Sequence, residues 1–234
     1  MQEKFKELED KIGIEFNDKN LLIQAFCHRS YLNEHPDFGL GQNERLEFLG
    51  DAVLELVVTN YLYFNYPEEP EGELTAWRAA LVNTKEIGDT AERLEFHKFL
   101  LLSKGERNEG GKAKLCILAD TFEALVGAIY LDRGYDVAAD FVKEHLISKL
   151  PRIIELGLYR DPKSELQEKA QEGLGITPSY DVLEESGPDH QKHFVMGVFL
   201  NDKLIGKGQG SSKKEAEEEA AKTALSRKSW LKSK

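Results

Sequence analysis

ILADTFEALVGAIYLD, residues 117–132, holds only Asp120, Glu123 and Asp132 as charges; the rest is mostly apolar. A helix of that composition is buried nearly all round, so other elements have to wrap it. Residues 1 to about 150 read as further helices: KFKELEDKI, DKNLLIQAFCHRSYL, NERLEFLGDAVLEL onward to Tyr63, LTAWRAALVNTKEIGDTAERL and VAADFVKEHLISKLPRIIEL. Their apolar residues recur at spacings of three and four, and no convincing alternation of period two is found. Pro67, Pro70 and Gly72 interrupt the chain, as do Gly105, Gly110 and Gly111.

The pattern changes after the linker-like GLYRDP. KSELQEKAQEGLG is a helix ending at glycine. SYDVLEES, HFVMGVFLN and the glycine-rich KLIGKGQG are strands, and SSKKEAEEEAAKTALSRK closes as a helix. The expected fold is an all-α domain at 1–155, a linker at 156–161 and a small α+β domain, α-β-β-β-α, at 162–230. No apolar run approaches the ~18 residues of a membrane helix, and the first residues, MQEKFKELED, lack the apolar core of a signal peptide. Two cysteines without a C-x-x-C pair suggest neither a disulfide framework nor a zinc site, which fits a reducing, cytoplasmic setting.

The net charge of −11 is uneven: residues 1–160 hold 19 Lys and Arg against 29 Asp and Glu, and residues 161–234 hold 12 against 13. Phosphate contacts must therefore come from local patches. In NERLEFLGDAVLEL, with Glu44 set at zero, Glu47 falls at about −60°, Asp51 at about −20° and Glu55 at about +20° on a helical wheel. Leu46, Leu49, Val53, Leu56 and Val57 fall opposite, as a core face. One such acid stripe is ordinarily a solvated surface. Asp120 and Glu123, however, share a face of the apolar helix, and buried carboxylates without a cation cost several kcal/mol each. No lysine or arginine sits at helical spacing to pair them, whereas a divalent metal could. Two helices offering paired acids make an all-oxygen site suited to Mg2+ or Mn2+ and to phosphoryl chemistry. A di-iron carboxylate bundle needs Glu-x-x-His motifs, and no histidine here has a glutamate three residues before it.

NERLEFLGD, together with FCHRSY at 26–31, PEGELTAWRAALV at 70–82 and ILADTFEALVGAIYLD, resembles the ribonuclease III family, block by block and in order. The second unit resembles the family's double-stranded-RNA-binding domain. The resemblance implies a Mg2+-dependent endonuclease, with Mn2+ able to substitute, that hydrolyses both strands of double-stranded RNA. The implied products carry 5′-phosphates and 3′-hydroxyls with short 3′ overhangs, in processing of ribosomal RNA precursors and messenger RNA. It implies Glu47, Asp51, Asp120 and Glu123 as metal ligands, with Asp51 and Glu123 catalytic, and Glu44 and Glu71 as further acids of the same cleft. Glu55 has no such role and is left as a surface acid. Phe48, on the acidic side at about +40°, matches a phenylalanine that enters a socket on the partner subunit, which implies a homodimer with one centre for each antiparallel strand. His28 is tempting as a general base, but the family treats its block as structural.

Proteins grip A-form RNA across the wide minor groove and its flanking phosphates. Gln167 and Glu168 match minor-groove contacts of the family, and Pro188 with His190, in GPDHQKHF, matches a second. Ser212 followed by Glu215 is a capping-box pattern that sets Lys213 and Lys214 at a helix N-terminus, where backbone N–H groups and ammonium groups favour an anion. Glu217, Glu218 and Glu219 are expected to face solvent, with Ala216, Ala220, Ala224 and Leu225 packing inward. A non-cleaving RNA binder of the same fold would be expected to lack one of the six acids, and none is missing.

Overall fold

The computed structural model describes residues 2–108, 110–188, 192–227 and 230. The chain divides into two compact units, residues 1–159 and 160–234.

The first unit is helical: α1 (Gln2–Ile12), α2 (Lys19–Ala25), α3 (Arg29–Glu34), α4 (Glu44–Asn65), α5 (Glu71–Leu81), α6 (Thr84–Arg93), α7 (Lys112–Arg133), α8 (Tyr135–His145) and α9 (Leu150–Glu155). The apolar helix α7 lies at the centre, with Leu118, Phe122, Leu125, Val126 and Ile129 fully enclosed, and packs chiefly on α4 and α6. Asp132, the third acid of its sequence, has a structural role: its carboxylate accepts from the Asn17 and Asp18 amides, each at 2.8 Å. This ties the end of α7 to the turn before α2, where the Asp18 side chain accepts from the Asn20 amide.

Three stretches that read as single helices are divided. DKNLLIQAFCHRSYL breaks after Ala25, because Cys27 forms a parallel bridge with Leu101 and His28 caps α3. LTAWRAALVNTKEIGDTAERL breaks at Asn83, whose side chain accepts from the Glu86 amide at 3.0 Å and starts α6. VAADFVKEHLISKLPRIIEL breaks after His145, with a 3-10 turn at Ile147–Lys149 before α9. Leu56, expected in the core, is 56% exposed, while Leu46, Val53 and Val57 are buried. At about 120° it sits on the margin of the core arc, beyond the reach of the helices that cover that arc.

The second unit comprises α10 (Pro162–Leu174), β1 (Ser179–Ser186), β2 (His193–Leu200), β3 (Lys203–Gly210) and α11 (Lys213–Arg227). The strands form one antiparallel sheet in the order β1-β2-β3. Gly206, Gly208 and Gly210 on β3 lie against the α11 backbone. A Cβ on Gly208 would stand 2.1 Å from the Ala220 nitrogen and 2.4 Å from the Ala216 oxygen. Glycine at every second strand residue, facing alanine at every fourth helix residue, is what permits this close packing. Glu217 does not face solvent: it pairs with Lys163 of α10, whose ammonium lies 4.8 Å over the Tyr180 ring.

Candidate metal centre and nucleic-acid surface

The approach of α4 to α7 sets the site. A Cβ on Gly50 would stand 1.7 Å from the Glu123 carbonyl oxygen, and one on Gly127 2.3 Å from the Leu46 oxygen. The two helices therefore meet backbone to backbone, and their acids are brought within reach of each other. Oxygens of Glu47, Asp120 and Glu123 lie within 4.8 Å of one another, and all three residues are half-buried. Among the described residues, no lysine or arginine forms an ion pair with any of them.

The electrostatics record that crowding. Burial, then the charges of Asp51, Asp120 and Glu47, push the Glu123 carboxyl up to about 8. Burial, then Asp120, Glu44 and Asp51, also raise Glu47. Burial raises Asp120 as well, opposed by the imidazole of His28. Three acids held together against both repulsion and desolvation are a donor set that a hard divalent cation would satisfy.

The other expected acids stand apart from this triad. Asp51 is exposed and acts on Glu123 and Glu47 through its charge. Glu44, also exposed, lies 3.9 Å from an Arg29 nitrogen. Glu71 is not brought to the cluster within one chain. It begins α5 and lines a cavity of about 630 Å³ with Tyr63, Phe64, Tyr66 and Arg78. Glu55 is paired with Arg78 at 3.1 Å, as suits a surface acid. His28 is not inside a helix: it is the N-cap of α3, and its side chain accepts from the Ser30 amide.

On the second unit, Gln167 and Glu168 are exposed on α10, whose Leu166 and Ala170 face the core. Ser212 Oγ accepts from the Glu215 amide at 3.2 Å, and Glu215 reaches back to the Ser211 amide at 2.8 Å. The capping box thus closes one residue earlier than its pattern suggests. Lys213 and Lys214 are exposed at this helix start, with the Lys213 ammonium 5.8 Å over the Phe194 ring. Pro188 is exposed. His190 lies outside the described residues.

A helical unit with clustered, cation-seeking carboxylates, joined to an α-β-β-β-α unit with lysines at a capped helix start, defines the class of nucleases that act on structured RNA. Residues 18–150 match the family described as Ribonuclease-III-like, and residues 162–228 the Double-stranded RNA binding motif. The chain is 50% identical over 221 residues to the Ribonuclease 3 of Oceanobacillus iheyensis, covering 93% of this chain and 95% of that protein. It is 46% identical over 222 residues to that of Enterococcus faecalis, covering 94% and 95%. The crystallised nuclease domain of ribonuclease III from Campylobacter jejuni is similar to 62% of this chain, with 96% of that domain matched, 44% identity and a TM-score of 0.55. The chain belongs to the ribonuclease III family, the endoribonucleases specific for double-stranded RNA. Among the described residues no helix is long and apolar enough to cross a membrane.

Proposed function

We propose that this chain is a Mg2+-dependent, homodimeric, cytoplasmic endoribonuclease. It hydrolyses both strands of double-stranded RNA to 5′-phosphate and 3′-hydroxyl ends with short 3′ overhangs, in processing of ribosomal RNA precursors and messenger RNA. The observation that carries this reading is the convergence of Glu47, Asp120 and Glu123 within 4.8 Å, with no lysine or arginine paired to them among the described residues. These three residues hold the metal, and Asp51, whose charge already acts on Glu123, completes the set. Bound there, the ion supplies Lewis acidity that activates water and stabilises charge on the departing 3′-oxygen. Glu123 must give up its proton to take part, and Glu44 extends the acid surface toward the substrate. Glu71 belongs to the cleft that two subunits form together. Residues 1–155 are the catalytic domain, 156–161 the linker, and 162–230 the RNA-binding domain, which grips through Gln167, Glu168, Pro188, His190, Lys213 and Lys214.

Dimerisation is supported by an uncovered stripe on α4. Phe48, Ala52, Leu56, Thr59 and Tyr63 follow one another at steps of three and four and are all exposed, Phe48 by 82%. A row that is apolar or aromatic at every position but Thr59 calls for a partner surface. A second copy meeting it about a two-fold axis gives each RNA strand its own acid cluster. The Campylobacter jejuni structure concerns a region involved in dimer formation of that protein's nuclease domain.

The test is a gel of long, perfectly paired RNA incubated with the protein in Mg2+ or EDTA, wild type beside Glu123→Gln. Short duplex products only with Mg2+ and intact Glu123 are expected. A shifted, uncut band under every condition would refute the catalytic reading and leave an RNA binder.

A further inference from the structure

Among the described residues, Glu44 is the one acid of the expected six with a basic partner: an Arg29 nitrogen lies 3.9 Å from its carboxylate. The backbone sets that neighbourhood. The Cys27 carbonyl accepts from the Asn43 amide at 2.9 Å, and the Ala25 carbonyl from Asn43 Nδ2 at 3.2 Å. Residues 25–27 are thereby laced to Asn43, the residue from which α4 starts. Arg29 begins α3 just after this junction, and Glu44 begins α4 beside it. Their proximity comes from the main chain and not from two long side chains meeting by chance.

Glu47 follows Glu44 at a spacing of three in the first turn of α4, so the two are neighbours about 5–6 Å apart at Cβ. A Glu47 oxygen in turn lies within 4.8 Å of oxygens of Asp120 and Glu123. Arg29 therefore stands at the edge of the acid cluster, one carboxylate removed from its three members. Its side chain is 74% exposed, and among the described residues it makes no hydrogen bond. At 3.9 Å the contact with Glu44 is too long for one, and an exposed pair of this kind contributes little to stability. The guanidinium fork keeps its donors free, in the geometry that takes a phosphate through two parallel bonds.

The substrate gives a cation at this place its use. The carboxylates of Glu44, Glu47, Asp51, Asp120 and Glu123 hold more negative charge than one divalent ion offsets, so an RNA strand approaching them is repelled. Resting on the reading of this cluster as the centre that cuts RNA, we infer that Arg29 binds a backbone phosphate of the strand being cut, close to the scissile one. Without RNA, Glu44 keeps the guanidinium at the rim of the cluster. With RNA, the phosphate takes the place of Glu44 as its anion, and the strand is oriented over the acids before the chemical step.

The test uses a set of short cleavable RNA duplexes, identical except that a single phosphate near the cleavage position is replaced by a neutral methylphosphonate. Full-length wild type, Arg29→Gln and Arg29→Lys cut them in Mg2+. On unmodified duplex, Arg29→Gln is expected to lower kcat/KM by about ten- to a hundredfold, the range for a hydrogen-bonded charge. Arg29→Lys, which keeps the charge but not the fork, should recover part of that loss. One methylphosphonate position should slow wild type by a similar factor and have no further effect on Arg29→Gln, because the two changes remove the same contact. Each duplex series is compared within one protein, so a lower melting temperature of Arg29→Gln would not disturb the result. Equal effects of every methylphosphonate on the two proteins would overturn the inference, as would wild-type kcat/KM in Arg29→Gln. Wild type that leaves unmodified duplex uncut in Mg2+ would overturn the functional reading and the inference with it. Wild-type cleavage without a phosphate that distinguishes Arg29→Gln would remove only the role of Arg29.

Discussion

Replacing Gly50 by alanine tests the geometry on which the acid cluster depends. The added Cβ would stand 1.7 Å from the Glu123 carbonyl oxygen, 2.6 Å from its carbon and 2.8 Å from the Gly127 nitrogen. All three are backbone atoms, which cannot swing aside as a side chain would. Ordinary contact begins at 3.4 Å, so α4 and α7 would have to part locally by roughly 1.7 Å to relieve the clash. Overpacking of a tight core typically costs about 1–3 kcal/mol, and a clash against backbone belongs at the upper end. Alanine returns about 1 kcal/mol in helix propensity, leaving a net loss of about 2 kcal/mol. At about 2–4 °C per kcal/mol for a domain of this size, melting should fall by about 4–8 °C. The effect on cleavage should be larger. Oxygens sharing one Mg2+ at about 2.0–2.1 Å must lie within about 4.2 Å of one another, and a displacement of about 1 Å can cost about a hundredfold in rate. Gly72→Ala is the control, since a Cβ there meets nothing within 4 Å. Melting by circular dichroism and initial cleavage rates on paired RNA give the answer. Wild-type melting and a rate within about twofold would show that the helices do not meet as closely as described.

Four other outcomes are expected. Glu123 has a folded pKa of about 8, raised from an ordinary 4.5; the stability tied to its proton is therefore complete below the unfolded value and lost as pH rises through about 8. Metal-free protein should melt progressively lower from pH 5 to 9, and Glu123→Gln should flatten that slope and abolish most of the Mg2+-induced rise in melting; equal slopes would contradict the assignment. Because the ion must displace that proton, Mn2+ binding should tighten from pH 6 to 8, and a pH-independent dissociation constant would count against Glu123 as a ligand. Phe48→Ala should shift the proposed dimer toward monomer by light scattering while barely changing chain stability, since Phe48 is 82% exposed; replacing Lys213 and Lys214 together by alanine should lower the salt slope of RNA binding by about 2.

The acids were legible because helical period and desolvation cost are both local properties: two charges on an otherwise apolar face need a cation, whatever surrounds them. The strands were legible for the same reason, and SYDVLEES and KLIGKGQG coincide with β1 and β3. Features that depend on distant partners were not. Nothing in DKNLLIQAFCHRSYL announces that Cys27 pairs with Leu101, so a break appears where periodicity reads through. Glu217 reads as one of three solvent acids until Lys163, 54 residues away in sequence, reaches it. Gly50 and Gly127 are the sharpest case. Inside a helix a glycine reads as a weak point costing about 1 kcal/mol relative to alanine, yet here each marks a place where one helix rests on the backbone of another. The carboxylates name the chemistry, and the two glycines set the distance at which it can operate. A scan of charged residues alone would find the acids and miss what brings them together. For that reason a methyl group at position 50, which removes no functional group, should cost this enzyme a large part of its activity.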